Sequence, residues 1–369
     1  MKDQLGEQAI TDLADVLSTI VDNVDRDAFI VRANKGLETL ALKQRVHFLI
    51  ALMADFLPNE FEQAAACLLR IVFTQERKAQ WGDFTAWPLV DYASVYGLGH
   101  PQLSLRVLKH LTPLFSAEFA VRAFIEHHEA ITHSTLLVWA EDKNEHVRRL
   151  ASEGSRPRLP WGKQLKKWID NPDAIFPIIE KLKDDPSLYV RRSVANNLND
   201  ISKDHGDKVI IHCEKWLENT SKDRQWLIKH GLRTLVKKGH PQVFPLLGYT
   251  KKPSIKIKQL KILSSSVVVG DEIIIRLCLQ STGNELQKVV VDYGIDYVRA
   301  MGKRKTKVFK WKNITLQPHE QLVLEKRHSF KLITTRRYHQ GRHHFQLLIN
   351  GEKANDSLGF DLKIEQLAE

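Results

Sequence analysis

Three stretches decide the fold: DKNEHVRRLASEG (142–154), DPSLYVRRSVANNL (185–198) and DRQWLIKHGLRTL (223–235). Each opens on an acidic turn, enters a helix at an apolar residue and places a cation one or two residues further on. Aligning Val147, Val190 and Leu227 gives spacings of 43 and 37 residues. One pair of amphipathic helices fits that length. A single pair cannot bury its apolar face alone, so successive pairs stack on one another. The competing explanation is coincidence among amphipathic helices, and the Val-Arg-Arg recurrence at matching positions counts against it.

A period of ~40 residues with paired helices is the signature of HEAT and armadillo repeats, which stack into a curved solenoid. Helical spacing extends toward the N-terminus. Ile10, Leu13, Val16, Leu17 and Ile20 share one helix face, as do Val46, Leu49, Ile50 and Met53. Near residue 255 the pattern changes. Thr250-Lys251-Lys252-Pro253-Ser254 reads as a linker, and short β-branched strands follow at 266–269, 272–279, 289–293, 307–311, 322–325 and 345–349. About seven strands without helical periodicity suggest an antiparallel sandwich of immunoglobulin type, although no Cys–Trp–Cys arrangement is present. The expected architecture is therefore a multidomain chain, α then β: a HEAT-like α-solenoid over residues 1–252 and an Ig-like β-sandwich over 256–369.

Charge is unevenly spread over the 369 residues. The formal net charge is +11, yet residues 1–100 hold 9 basic and 14 acidic side chains, residues 101–250 hold 24 and 18, and residues 251–369 hold 22 and 12. The excess lies in the last two-thirds of the chain and favours a polyanionic partner; a solvated basic surface is the plainer alternative. Cys67, Cys213 and Cys278 are far apart and form no CxxC unit, so they read as small core residues rather than disulfides or zinc ligands. The first residues lack a signal-peptide core and no run approaches ~18 apolar residues, which points to a cytoplasmic protein without a membrane span.

Several catalytic templates fail. His128 and His133 are five apart, where a metal-binding helix needs four, and they read as a solvated polar face. Gly302-Lys303-Arg304-Lys305-Thr306 lacks the earlier glycine of a phosphate loop. The informative segment is WAEDKNEHVRRLASEGSRPRLPW (139–161). Arg149 and Glu153 are i, i+4 and share a helix face. Arg156, Arg158 and Trp161 follow in an extended loop restrained by Pro157 and Pro160. Guanidiniums beside an indole and a carboxylate suit a nucleic-acid strand; a helix salt bridge followed by a basic surface loop is the alternative.

At these residues, together with FSAEFAVRAFI (115–125) and YVRRSVANNLNDISKDH (189–205), the chain resembles the AlkC branch of the AlkC/AlkD superfamily of DNA alkylation-repair glycosylases. The likeness extends to the helical repeats and to a C-terminal Ig-like domain carrying GDEIIIRLCLQ, VDYGIDYV and FQLLING. It implies a monofunctional glycosylase of base excision repair that hydrolyses the N-glycosidic bond of cationic alkylated bases: 3-methyladenine, 3-methylcytosine and 1-methyladenine. The implied partner is double-stranded DNA carrying such bases, with no cofactor, no metal and a monomeric enzyme. A cationic base leaves as a neutral molecule and needs little acid help, while a carboxylate stabilises the developing sugar charge or orients water.

The resemblance assigns Glu118 and Glu153 as the carboxylates at the lesion, Arg149 as the cation paired with them or holding the backbone, and Trp161 as the ring packed against the lesion nucleotide. Arg148 competes with Arg149, because consecutive helix residues point ~100° apart. Arg156, Arg158, Arg191 and Arg192 are expected as phosphate ligands, with Asn196 and Asn197 as candidate strand contacts. Lys303, Arg304, Lys305 and Lys307 make a second cluster on the sandwich, expected to approach the DNA from the other side, with Arg336 and Arg337 as weaker candidates and a merely solubilising surface as the alternative. The reading from another class is a non-catalytic HEAT scaffold that binds DNA or protein. Such a scaffold has no need of carboxylates amid a phosphate-binding surface.

Overall fold

A computed structural model describes residues 2–72, 84–334 and 336–364. The chain divides into two compact units, Met1–Val209 with Asn219–Gly231, and Ile210–Glu218 with Leu232–Glu369. Its helices begin with α1 (Glu7–Ile20), α2 (Arg26–Leu37), α3 (Leu42–Ala54), α4 (Phe61–Leu69), α5 (Trp87–Tyr96) and α6 (Pro101–Leu111). Next come α7 (Val121–His127), α8 (Glu129–Trp139), α9 (Glu145–Gly154), α10 (Lys166–Asp170) and α11 (Phe176–Leu182). The last five are α12 (Leu188–Ile201), α13 (Gly206–Leu217), α14 (Lys222–Gly231), α15 (Arg233–Lys238) and α16 (Val243–Leu246).

The apolar faces read from the sequence are the buried ones. In α1 they are Ile10, Leu13, Val16, Leu17 and Ile20; in α3 they are Val46, Leu49, Ile50 and Met53. The three repeat stretches become α9, α12 and α14. α12 packs against both of the others, and Val147, Val190 and Leu227 are buried at matching positions. This is helical-repeat packing: each helix covers the face its neighbour cannot bury alone.

The acidic turns have a structural task. The Asp142 carboxylate accepts from the Asn144 amide (2.8 Å), and the Asp185 carboxylate accepts from the Ser187 amide (2.8 Å), which shapes the turn before each helix. Each carboxylate also pairs with a cation of the preceding repeat. Lys109 meets Asp142 at 2.6 Å, Arg148 meets Asp185 through two bonds of 2.6 and 3.0 Å, and Arg191 meets Asp223 at 3.0 Å. Both arginines donate in addition to carbonyls of their own turn: Arg148 to Asp142 and Lys143, Arg191 to Asp185 and Pro186. An ionic ladder with a rung per repeat thus sets the register between stacked helices. His128 and His133 are not a solvated face. Their Nε2 atoms bond the carbonyls of Leu98 and Ala174 at 2.7 and 2.8 Å and tie α8 and the residue before it to distant turns.

Strands begin directly after the linker. One sheet has the order β1 (Ile255–Ile262), β3 (Glu272–Ser281), β6 (Gln321–Ser329). The other has the order β2 (Ser266–Val268), β9 (Leu358–Lys363), β7 (Gly341–Ile349), β4 (Gln287–Val298), β5 (Arg304–Leu316), with β8 (Glu352–Lys353) paired to β7. All pairings are antiparallel except β2 with β9. Ile273, Ile275, Leu277 and Leu279 of β3 share one core with Val291, Tyr293 and Ile295 of β4, Phe345 and Leu347 of β7, and Phe360 and Leu362 of β9. β1, β8 and β9 lie outside the strands expected from the sequence. The three cysteines are buried and free, as expected. Among the described residues no helix is long and apolar enough to cross a membrane.

One histidine sits in the sandwich core. The His328 ring nitrogens lie 2.9 Å from the hydroxyls of Tyr293 and Tyr297, and Arg336 donates to the Tyr297 hydroxyl at 2.8 Å. Burial, with help from Arg336, Lys326 and Lys307, pulls its pKa down from 6.5 to about 4. The unfolded chain therefore takes up the proton first as pH falls. The sandwich should lose about 3 kcal/mol of stability between pH 6.5 and 4, and no more from this group below that window. Urea unfolding across that range checks this, because His328→Gln should flatten the slope. The ladder makes a second prediction. Arg148→Ala leaves the buried Asp185 carboxylate unpaired and should cost about 3 kcal/mol, whereas Arg192→Ala at an exposed position should stay within about 0.5 kcal/mol.

Candidate active site

Glu118 lies in a turn immediately before α7, not on a helix. Its neighbours Phe115 and Phe119 both stack on the buried Trp87 ring, with centroids 5.2 and 5.4 Å apart, which anchors the turn. Gly154 brings that turn to the end of α9. A Cβ there would lie 2.5 Å from Cγ1 of Val121, so only glycine lets the C-terminus of α9 approach the start of α7 this closely.

The approach assembles an alternating row of charges. Glu118 pairs with Arg149, and Ser116 bonds both, donating to the carboxylate at 2.8 Å and accepting from the guanidinium at 2.6 Å. Arg149 reaches Glu153 at 3.5 Å on the same helix face. Glu153 pairs with Arg156 at 2.6 Å, Arg156 with Asp200 at 2.8 Å, and Asp200 with Lys203 at 2.7 Å. Three acids thus alternate with three bases. Burial opposes the charge on Arg149, but Glu153 and Glu118 outweigh it and hold its pKa above the ordinary guanidinium value. Arg149 also lies over the Tyr189 ring, 5.0 Å from the centroid. The row opens to solvent at its two ends: Glu118 and Arg149 are each 15% exposed and Lys203 39%, whereas Asp200 is 2% exposed.

Trp161 belongs to the loop after α9. It is 61% exposed and adopts a left-handed backbone conformation, φ 64°, which is strained for a residue with a bulky side chain. Lys43 donates to its carbonyl at 2.7 Å.

The structure corrects several expected phosphate ligands. Arg148 and Arg191 are rungs of the ladder, and only Arg149 of the first Val-Arg-Arg pair joins the site. Arg156 is buried between Glu153 and Asp200, which take its Nη1 and Nε, so it serves the ion-pair row instead. Asn197 is fully buried and donates to the Ser152 carbonyl and the Ser155 hydroxyl, which fastens α12 to the end of α9 instead of contacting a strand. Arg158 is half-buried and paired through two bonds with Asp204. Asn196 is half-buried, and Arg192 is exposed. Asp200 was missed by the sequence reading. Its signal was a carboxylate 44 residues beyond Arg156, one repeat ahead.

On the sandwich, Lys303, Arg304, Lys305 and Lys307 are all exposed, but they do not act as one cluster. Lys305 and Lys307 alternate with Arg304 along β5. They line a cleft of about 650 Å³ with Arg299, Arg336, Arg337 and His339, and no carboxylate lines it. Arg304 instead bonds His344 at 2.7 Å and approaches Asp296 at 3.5 Å. The Lys307 amine has its pKa lowered by partial burial, Arg336 and Lys237. Among the described residues no group of three or more His, Cys, Asp or Glu side chains is placed to hold a metal ion.

Residues 115–235 match the family model described as "DNA alkylation repair enzyme", and residues 256–364 match "Uncharacterised protein YhaZ, C-terminal Ig-like domain". The "Uncharacterized protein YhaZ" of Bacillus subtilis (strain 168) is 39% identical over 323 residues, covering 88% of each chain. The solved alkylpurine DNA glycosylase AlkC of Pseudomonas fluorescens, bound to DNA containing an abasic site analog, is 35% identical. It superposes with a TM-score of 0.89 over 98% of this chain and 99% of that one. The chain belongs to the AlkC-type family of DNA alkylation repair enzymes.

Proposed function

We propose that this protein is a monofunctional glycosylase that releases cationic alkylated bases, 3-methyladenine, 3-methylcytosine and 1-methyladenine, from duplex DNA, acting as a monomer. The observation that carries the reading is the placement of Glu118 and Glu153 on one guanidinium, Arg149, in the same small region as the exposed Trp161 loop. A purely phosphate-binding surface is weakened by acids, whereas base loss leaves an oxocarbenium-like sugar that acids stabilise. Arg149 holds both carboxylates in place, and the indole offers an electron-rich face to the cationic base and sugar. Likeness over nearly the whole chain to a glycosylase solved with abasic-site DNA supports the same reading.

Incubation with duplex DNA carrying 3-methylcytosine or 3-methyladenine, followed by alkali, should cleave the strand at the lesion. No cleavage of either substrate at high protein concentration overturns the proposal. Glu153→Gln should slow base release by about 100-fold or more, while duplex affinity stays the same or rises, because a negative charge beside Arg149 and Arg156 is removed. Matched losses of rate and affinity would place Glu153 in binding or folding instead.

The sandwich cleft adds a separate expectation. Neutralising Lys305 and Lys307 together should reduce the slope of log affinity against log salt by about 2, while neutralising Arg304 should leave it nearly unchanged. Equal effects would remove the cleft from the interface.

A further inference from the structure

Arg122 is the bulkiest fully buried side chain among the described residues, 1% exposed, and it has no ion-pair partner among them. It sits on α7, one turn after Glu118. Its hydrogen bonds go to backbone carbonyls alone, and its buried Nη2 has no hydrogen-bond partner. Nε donates to Lys163 at 2.6 Å, and Nη1 donates to Gly154 at 3.1 Å and Arg156 at 2.7 Å. Burial lowers its pKa to about 10, which leaves it a cation at neutral pH.

The three carbonyls are distributed in a telling way. Gly154 is the last residue of α9, where helix carbonyls lack partners and carry the negative end of the dipole. Arg156 opens the loop, and Lys163 lies two residues past Trp161. One side chain therefore closes both ends of the segment that presents the indole. Gly162 seats the loop on the Arg122 stem: a Cβ there would come within 3.0 Å of Leu159 and 3.4 Å of Arg122 Cδ. Two further bonds complete the small enclosure, Leu165 N to the Pro157 carbonyl at 3.1 Å and Gly162 N to the Leu159 carbonyl at 3.2 Å. A buried cation without a carboxylate is costly. Here the three carbonyl bonds offset part of that cost.

We propose that Arg122 is a positioning residue for base release, which locks the 154–163 loop so that Trp161 stands in fixed relation to Glu118 and Glu153. This rests on the glycosylase reading for its rate consequence, but not for the clamp itself. Arg122 touches no reacting atom. It acts through the loop, and it joins the two sequence-distant parts of the site, because the same short helix follows the Glu118 turn.

Arg122→Met keeps the stem and removes every donor. In that variant, hydrogen exchange at the Gly162 and Leu165 amides should accelerate at least about tenfold. Single-turnover base release should fall about 100-fold, with affinity for abasic-site duplex unchanged. Wild-type exchange and release in folded Arg122→Met would overturn the proposal, as would a loss of rate matched by a loss of affinity. Gly162→Val keeps the guanidinium and wedges the loop off its stem, so it should show the same split. Wild-type release in that variant overturns the proposal even where Arg122→Met does not fold. Faster exchange in either variant of a protein whose wild type releases no base would keep the clamp and remove the glycosylase reading.

Discussion

Glu153 lies between two guanidiniums, 2.6 Å from Arg156 and 3.5 Å from Arg149, and each of these holds a further carboxylate. The alternation is what makes the site tolerable as folded matter. An isolated carboxylate as buried as Glu153 would be neutralised or expelled, and a pair of arginines without acids would repel. In a row of alternating sign each charge has neighbours of opposite sign, so the desolvation cost is shared and the geometry of every member depends on the others. Three elements distant in sequence, the turn before α7, the end of α9 and the end of α12, are fixed to one another by these bonds. The row also determines which acids meet solvent. Asp200 is sealed and structural, whereas Glu118 remains open at one end.

The sandwich handles charge in the opposite way. Its cleft gathers Arg299, Lys305, Lys307, Arg336, Arg337 and His339 without an acid, and the Lys307 pKa is lowered first by partial burial and then by Arg336 and Lys237. Within the helical unit most arginines of the 139–205 stretch already have carboxylates, so their charge does not amount to a phosphate footprint. The excess of +11 in the whole chain is therefore a poor guide to where DNA is held. Paired and unpaired cations count alike in that sum and behave differently toward phosphate.

The repeat, the apolar helix faces and the change to strands near residue 255 were legible because each is a local pattern with a period. β1 escaped because it is an edge strand whose isoleucines alternate with Lys256, Lys258 and Lys261, so it reads as a continuation of the linker. The members of the candidate site were legible through the family's motif, but the roles of their neighbours were not. Arg148, Arg156 and Arg158 find their acids 37, 44 and 46 residues downstream, about one repeat away. No window on a single helix contains both partners. The regularity of those separations is itself a readable signal: an arginine with an aspartate one repeat ahead belongs to the stack.

The same arithmetic explains why one of the second arginines is held and the other is not. Arg149 and Arg192 occupy matching positions 43 residues apart. Arg149 is held by Glu118 and Glu153. Moved forward by the same 43 residues, those two positions are Trp161 and Asn196, neither of which carries a charge. Arg192 is exposed and has no ion pair among the described residues. The repeat thus places acids beside Arg149 and lacks them one repeat later, so the second arginine holds two carboxylates in one helix and is exposed in the next. Divergence at two positions is enough to change the surroundings of the second arginine, because the scaffold beneath, Arg148 on Asp185 and Arg191 on Asp223, stays the same in both.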